Sequence, residues 1–107
     1  MTEALVVLCN VPDAGCAERI ARALVERRLA ACVNILHPCL SVYRWQGEVE
    51  TQHEIPLLIK TTAACFAALS AALSELHPYE VPEIIALPVS AGLPAYLGWV
   101  SQETRAE

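Results

Sequence analysis

The chain predicts an α+β fold in which one antiparallel sheet carries its helices on a single face. Three observations set this expectation. Two segments repeat apolar residues at helical spacing, strand-like runs flank each of them, and a Gln46-Gly47 turn splits the long alternating stretch between them into a hairpin. A chain of 107 residues is expected to form a single domain, 1–107, with one modest core.

Ala4 to Cys9 is a continuous apolar run ended by Asn10-Val11-Pro12-Asp13. It reads as a fully buried strand stopped by a turn, with Asp13 placed to cap the next element. From Ala17, the residues Ile20, Ala21, Leu24, Val25 and Leu29 recur at helical spacing, with Glu18, Glu26 and the arginines on the other face. Ala31 to Arg44 is strand-like, and His37-Pro38 must interrupt its ladder as a bulge or bend. After the turn, Val49, Thr51, His53, Ile55, Leu57 and Ile59 alternate with Glu48, Glu50, Gln52, Glu54 and Lys60, giving a strand with one polar face. Pro56 lies inside this arm and predicts an edge or a bulge there.

Thr61 or Thr62 is placed to cap a second helix with Phe66, Leu69, Leu73 and Leu76 as its buried stripe. The junction His77-Pro78-Tyr79-Glu80-Val81-Pro82-Glu83-Ile84 follows, then a strand from Glu83 to Val89. Gly92-Leu93-Pro94 opens a short last helix through Tyr96, Leu97, Trp99 and Val100. The order β-α-β-β-α-β matches the ferredoxin-like split β-α-β arrangement, with an added C-terminal helix.

That order has a geometric consequence. Hairpin arms of about 12 residues run roughly 40 Å, whereas a helix of about 14 residues covers roughly 21 Å. Nearly half of the hairpin is left without a helix over it. Carrying Val42, Tyr43 and Trp45 with unpaired strand edges, such a hairpin is an aggregation liability unless copies of the chain pair into a closed ring. A hydrophobic content of 55% and a mean hydropathy of +0.41 agree that another subunit covers part of the surface. Tyr43, Trp45 and Trp99 are the candidate interface residues; Trp99 reads equally as core, whereas for Trp45 a hairpin tip is no place for a core side chain.

Composition narrows the function classes. A net charge of -5 argues against nucleic acid, whose phosphates need a basic face. No run of about 18 apolar residues lacks a charge or proline, so no membrane span is expected. The acidic start, Met1-Thr2-Glu3-Ala4, does not have the layout of a signal peptide, which sets a cytoplasmic expectation. Five cysteines with no C-x-x-C pair fit neither a disulfide framework nor a zinc finger. Hydrolase, zinc-protease, phosphate-loop and dinucleotide signatures are all missing, so no enzymatic activity and no required cofactor are expected.

The polar junction carries the most chemistry. Its prolines stiffen the backbone and fix the directions in which the imidazole, the phenol and the two carboxylates leave it. It is either a rigid connector or a ligand-receiving sheet end. Lys60, the only lysine, ends a strand near it, either to hold an anion or to pair with Glu80 or Glu83; the cleft residues are then Lys60, Tyr79, Glu80 and Glu83. Cys9 with His77 can be read as a nucleophile and base, as a soft-metal pair suited to copper or another divalent cation, or as a buried inert thiol beside a histidine.

Ala31-Cys32-Val33-Asn34-Ile35, Ser41-x-Tyr43-x-Trp45-x-Gly47, Glu54-x-x-Leu57-x-Ile59-Lys60-Thr61, His77-Pro78-Tyr79-Glu80-x-Pro82-Glu83-Ile84 and Tyr96-Leu97-x-Trp99 together resemble the divalent-cation tolerance (CutA) family over nearly the whole chain. The resemblance implies a ferredoxin-like protomer in a homotrimer similar to the PII signalling proteins, a role in tolerance to copper and other divalent metals, and no established reaction. It also implies a metal site built from a strand-one cysteine and two adjacent histidines. Cys9 and His77 stand at two of those positions and Leu76 at the third. The other reading is a PII-like signalling module that binds a small molecule or partner protein in clefts between subunits.

Overall fold

The computed structural model describes residues 3–105. Its elements are β1 (Ala4–Val11), α1 (Ala14–Glu26), β2 (Cys32–Ile35), β3 (Cys39–Trp45), β4 (Glu48–Thr62), α2 (Phe66–Leu76), β5 (Ile85–Pro88) and α3 (Pro94–Gln102), with a single 3₁₀ turn at Ala63–Cys65. The strands lie in the order β2-β4-β1-β5, all neighbours antiparallel, and β3 continues the hairpin beside β4. This is the expected ferredoxin-like arrangement, since each helix connects two strands that have one other strand between them.

One face of the sheet holds the core. Val7, Cys9 and Val11 of β1 pair with Ile59, Leu57 and Ile55 of β4, and this set packs on Ile20 and Leu24 of α1 and Leu69 and Leu73 of α2. Asp13 caps α1 as expected, its carboxylate accepting the Cys16 amide at 2.8 Å. The helix stops where Arg28 takes a left-handed φ of 60°, and the Leu29 and Ala30 amides turn back to the Leu24 carbonyl. Leu29 is therefore buried from beyond the helix, whereas Val25 falls off the stripe and is exposed.

Three expectations need correction. The first strand runs on to Val11 and buries only alternate residues, because helices cover one face of the sheet and not both. Neither threonine caps α2. Strand β4 continues through both, and the buried Thr61 hydroxyl instead donates to the Leu29 carbonyl at 2.7 Å.

Pro56 sits in the interior strand β4, opposite Asn10 of β1, rather than at an edge. Its carbonyl accepts the Leu36 amide at 3.0 Å, so its missing N–H faces the same side, where the ladder breaks between β2 and β3 around His37-Pro38.

The hairpin overhang is visible along β4 itself. Residues 48–53 are exposed or half-buried, and from Glu54 onward the strand buries Glu54, Ile55 and then every second residue. Strand β5 is also shorter than expected, and its Ile85 and Leu87 are half exposed. Helix α3, opened by Pro94, buries Val100. The segment after α3 is tied down through Arg28, whose carbonyl accepts the Arg105 amide at 2.7 Å and whose guanidinium donates to the Gln102 carbonyl at 3.0 Å.

Candidate functional site

Helix α2 has to end at His77, because Pro78 drives the preceding residue to extended backbone, here φ -79° and ψ 137°. That turn sends the imidazole inward, where it is 6% exposed. Nδ1 accepts the Tyr79 amide at 3.1 Å, which leaves Nε2 to carry the proton and donate to the Asn10 carbonyl at 2.7 Å. Both ring nitrogens are thereby engaged. The Tyr79 ring lies tilted against the imidazole at 4.7 Å, so His77 sets where the phenol points.

The phenol points toward the base of the hairpin. Tyr79 donates to Glu54 at 2.8 Å and accepts from the Gln52 amide at 3.3 Å. The Gln52 carbonyl oxygen accepts the Tyr43 hydroxyl at 2.9 Å, joining β3 to the network. Asn10, on the face of β1 opposite the core, extends its amide toward Glu54 at 3.4 Å and Glu83 at 3.3 Å. Glu54, expected on a solvated polar face, is only 8% exposed because Tyr79 and Asn10 cover it.

Between the hairpin and the junction lies a groove of about 600 Å³. Its carboxylates are Glu50, Glu54, Glu80 and Glu83, and no lysine or arginine lines it. The ion pairs among the described residues, Arg22–Glu18 and Arg28–Glu103, lie elsewhere. The local field is accordingly negative. Burial and then Glu54 push the Tyr79 phenol above its usual range, and desolvation and then Glu50 do the same to Tyr43. The Cys9 thiol is pushed up to about 12 by burial, with Glu83, Cys16 and Glu54 adding to the effect.

The structure brings Tyr79, Glu80, Glu83, Tyr43 and Trp45 to this one groove. It does not bring Lys60 there within a single chain. Lys60 pairs with Val6 and Cys32, four residues along β4 from Pro56, and its ammonium group donates to Asn34. Trp99 is apart as well, against Tyr96 at 5.6 Å and beside a separate depression with Leu97 and Val89. Cys9 belongs to the helix-side core and is 1% exposed. Among the described residues, no group of three or more His, Cys, Asp or Glu side chains is placed to hold a metal ion.

Asn10, Gln52 and Glu54 are not among the site residues expected from the sequence, although they join the network together. One signal was available: Asn10 is the lone polar residue of an apolar strand, and such a residue needs a partner. The other was register, since Glu50, Gln52 and Glu54 share a face of β4 and Tyr43 stands directly opposite Glu50.

Comparison with known proteins agrees with this architecture. A divalent-cation tolerance protein CutA from Thermus thermophilus is 52% identical over 99 residues, covering 92% of this chain and 96% of that protein. The solved structure of a divalent cation tolerance protein (Cut A1) from Thermus thermophilus superposes with a TM-score of 0.94 at 51% identity, covering 95% of this chain and 99% of the other. A structure from Archaeoglobus fulgidus, described as a periplasmic divalent cation tolerance protein CutA, gives a TM-score of 0.90 at 35% identity over 94% and 97% of the two chains. The family model for the CutA1 divalent ion tolerance protein matches residues 5–103, and the chain belongs to that family.

Proposed function

We propose that the protein is a homotrimeric, non-catalytic binding module serving divalent-cation tolerance, with its ligand held in the groove between the hairpin and the 77–83 junction. The observation that carries this reading is the buried Glu54 carboxylate at the root of an uncovered hairpin, hydrogen-bonded among the described residues by neutral groups alone. A buried charge without a counter-charge is costly, and a cationic ligand relieves it. Binding is favoured over catalysis because the thiol beside the junction is buried with a raised pKa and the adjacent imidazole is engaged at both nitrogens.

Assembly is supported by the exposed Val42, Val49 and Trp45 on the overhang and by Ile85 and Leu87 on the half-exposed β5. In a PII-like trimer the groove borders a neighbouring copy. Lys60 joins Tyr79, Glu80 and Glu83 only by coming from that copy, while Tyr43, Trp45 and Trp99 form the contacts. The five free thiols suit a reducing compartment and support a cytoplasmic location.

Light scattering on a gel-filtered sample tests the assembly, with three protomer masses expected and a monomer or dimer at micromolar concentration ruling it out. Trp45→Asp should weaken assembly while circular dichroism stays that of the folded protein. Thermal shift across metals, nucleotides and small anions tests the groove, because a ligand of the folded state raises apparent stability.

A second reading is copper binding through Cys9 and His77. It is favoured by their common anchor, since His77 bonds the carbonyl of Asn10, the residue after Cys9. It requires the thiol to lose its proton and the imidazole to release a partner, so modest affinity is expected. Equal copper binding by the wild type and a Cys9→Ser, His77→Ala double variant would exclude it.

A further inference from the structure

The groove has three properties that a metal ion alone does not use. Its volume of about 600 Å³ far exceeds one cation with its first shell of donors. Its carboxylates are spread out. Glu50 and Glu54 share a face of β4 four residues apart, about 13 Å along the strand, whereas a hard cation needs its oxygen donors at about 2.0–2.6 Å from one point. Glu54 and Glu83 form a pair at one end, both within reach of the Asn10 amide, and Glu50 lies farther along β4, accepting from the Tyr43 hydroxyl at 3.4 Å.

The stretch between the two ends is lined with apolar and aromatic surface. Val42, Tyr43 and Trp45 of β3 line it from one side, and Val81 of the junction from the other. Aromatic faces attract ammonium groups, and the apolar surface suits methylene chains. Buried Glu54, with no cationic partner among the described residues, marks the end where a positive charge gains most.

Resting on the reading that this groove is the ligand site, we propose that it binds linear aliphatic polyamines. One ammonium group lies between Glu54 and Glu83, another reaches Glu50, and the methylene chain passes beneath Tyr43 and Trp45. A four-carbon diamine is too short to engage both ends. A triamine or tetraamine reaches them and neutralises carboxylates in a groove that no cationic side chain of the same protomer lines.

Isothermal titration of the purified oligomer with spermidine, spermine and putrescine tests this, with manganese(II) and copper(II) salts titrated alone for comparison. Spermidine and spermine should bind saturably and more weakly as salt rises, with putrescine at least tenfold weaker. Glu50→Gln and Glu83→Gln should each lower spermidine affinity about tenfold, the loss of one charge-assisted contact, while Glu26→Gln on α1 leaves it unchanged. Spermidine binding that is absent, or unchanged in a Glu50→Gln, Glu83→Gln double variant, overturns the proposal. If spermidine fails while a metal or nucleotide stabilises the wild type but not that double variant, the polyamine assignment falls and the groove remains the site. If no ligand's effect changes in the double variant, the groove reading falls with it.

Discussion

The two halves of β4 carry the same alternation and meet different fates. Ile55, Leu57 and Ile59 are buried under the helices, while Val49, Thr51 and His53, in the same register, are exposed. The local pattern specifies which side chains share a face. Whether that face is covered depends on the reach of α1 and α2, and their layer ends near Glu54.

The largest effect that would sharpen this contrast is a truncation in each half. Leu57→Ala should cost about 2–5 kcal/mol by denaturant unfolding, because Leu57 is fully enclosed. Val49→Ala, at 64% exposure, should cost less than about 0.5 kcal/mol in a dissociated chain. Equal losses would break the contrast and show that the overhang is packed.

The next effect concerns Cys9, on the covered side. Its folded pKa of about 12 lies above the ordinary 9.0, so between those values the folded chain holds a proton that the unfolded chain has lost. Stability should therefore fall as pH rises from 9 to 12, by about 1.4 kcal/mol per pH unit at the steepest for this one group. Urea midpoints across that range should show a shallower decline in Cys9→Ala. An unchanged slope would mean that the thiol is already accessible.

Tyr79 joins the two halves through Glu54. Tyr79→Phe should cost about 1–2 kcal/mol and raise amide exchange at the base of the hairpin, since the buried carboxylate loses its shortest hydrogen bond. Asp13→Ala should cost about 1 kcal/mol, from a lost helix cap within the covered half. That variant should leave hairpin exchange untouched, whereas Tyr79→Phe should not.

The sequence made the covered half the easier one to read. Apolar stripes and strand alternation follow from local periodicity, so the element order and the Asp13 cap are legible there, while in the overhang the Gln46-Gly47 turn is legible. Thr61 reads as a cap because it stands before a helix, and only the tertiary fold brings the Leu29 carbonyl to it. The groove was half legible. Tyr79, Glu80 and Glu83 stood out within eight consecutive residues, but Asn10 and Glu54 lie 44 positions apart and meet only when β1 pairs with β4. Lys60 lies close to Glu54 in sequence, yet the same extended strand carries it away from the groove.

Pro56 has a consequence for alignment. Sliding β3 along β4 by two residues would keep every side chain on its own face, so hydrophobic patterning gives little protection against that error. The imino residue supplies the missing protection. With no N–H to donate, it fits opposite the interruption at His37-Pro38 and leaves a ladder carbonyl unpaired anywhere else. The two prolines work as a key and its notch, and by fixing where the strands lock they also fix how far the hairpin projects beyond the helices.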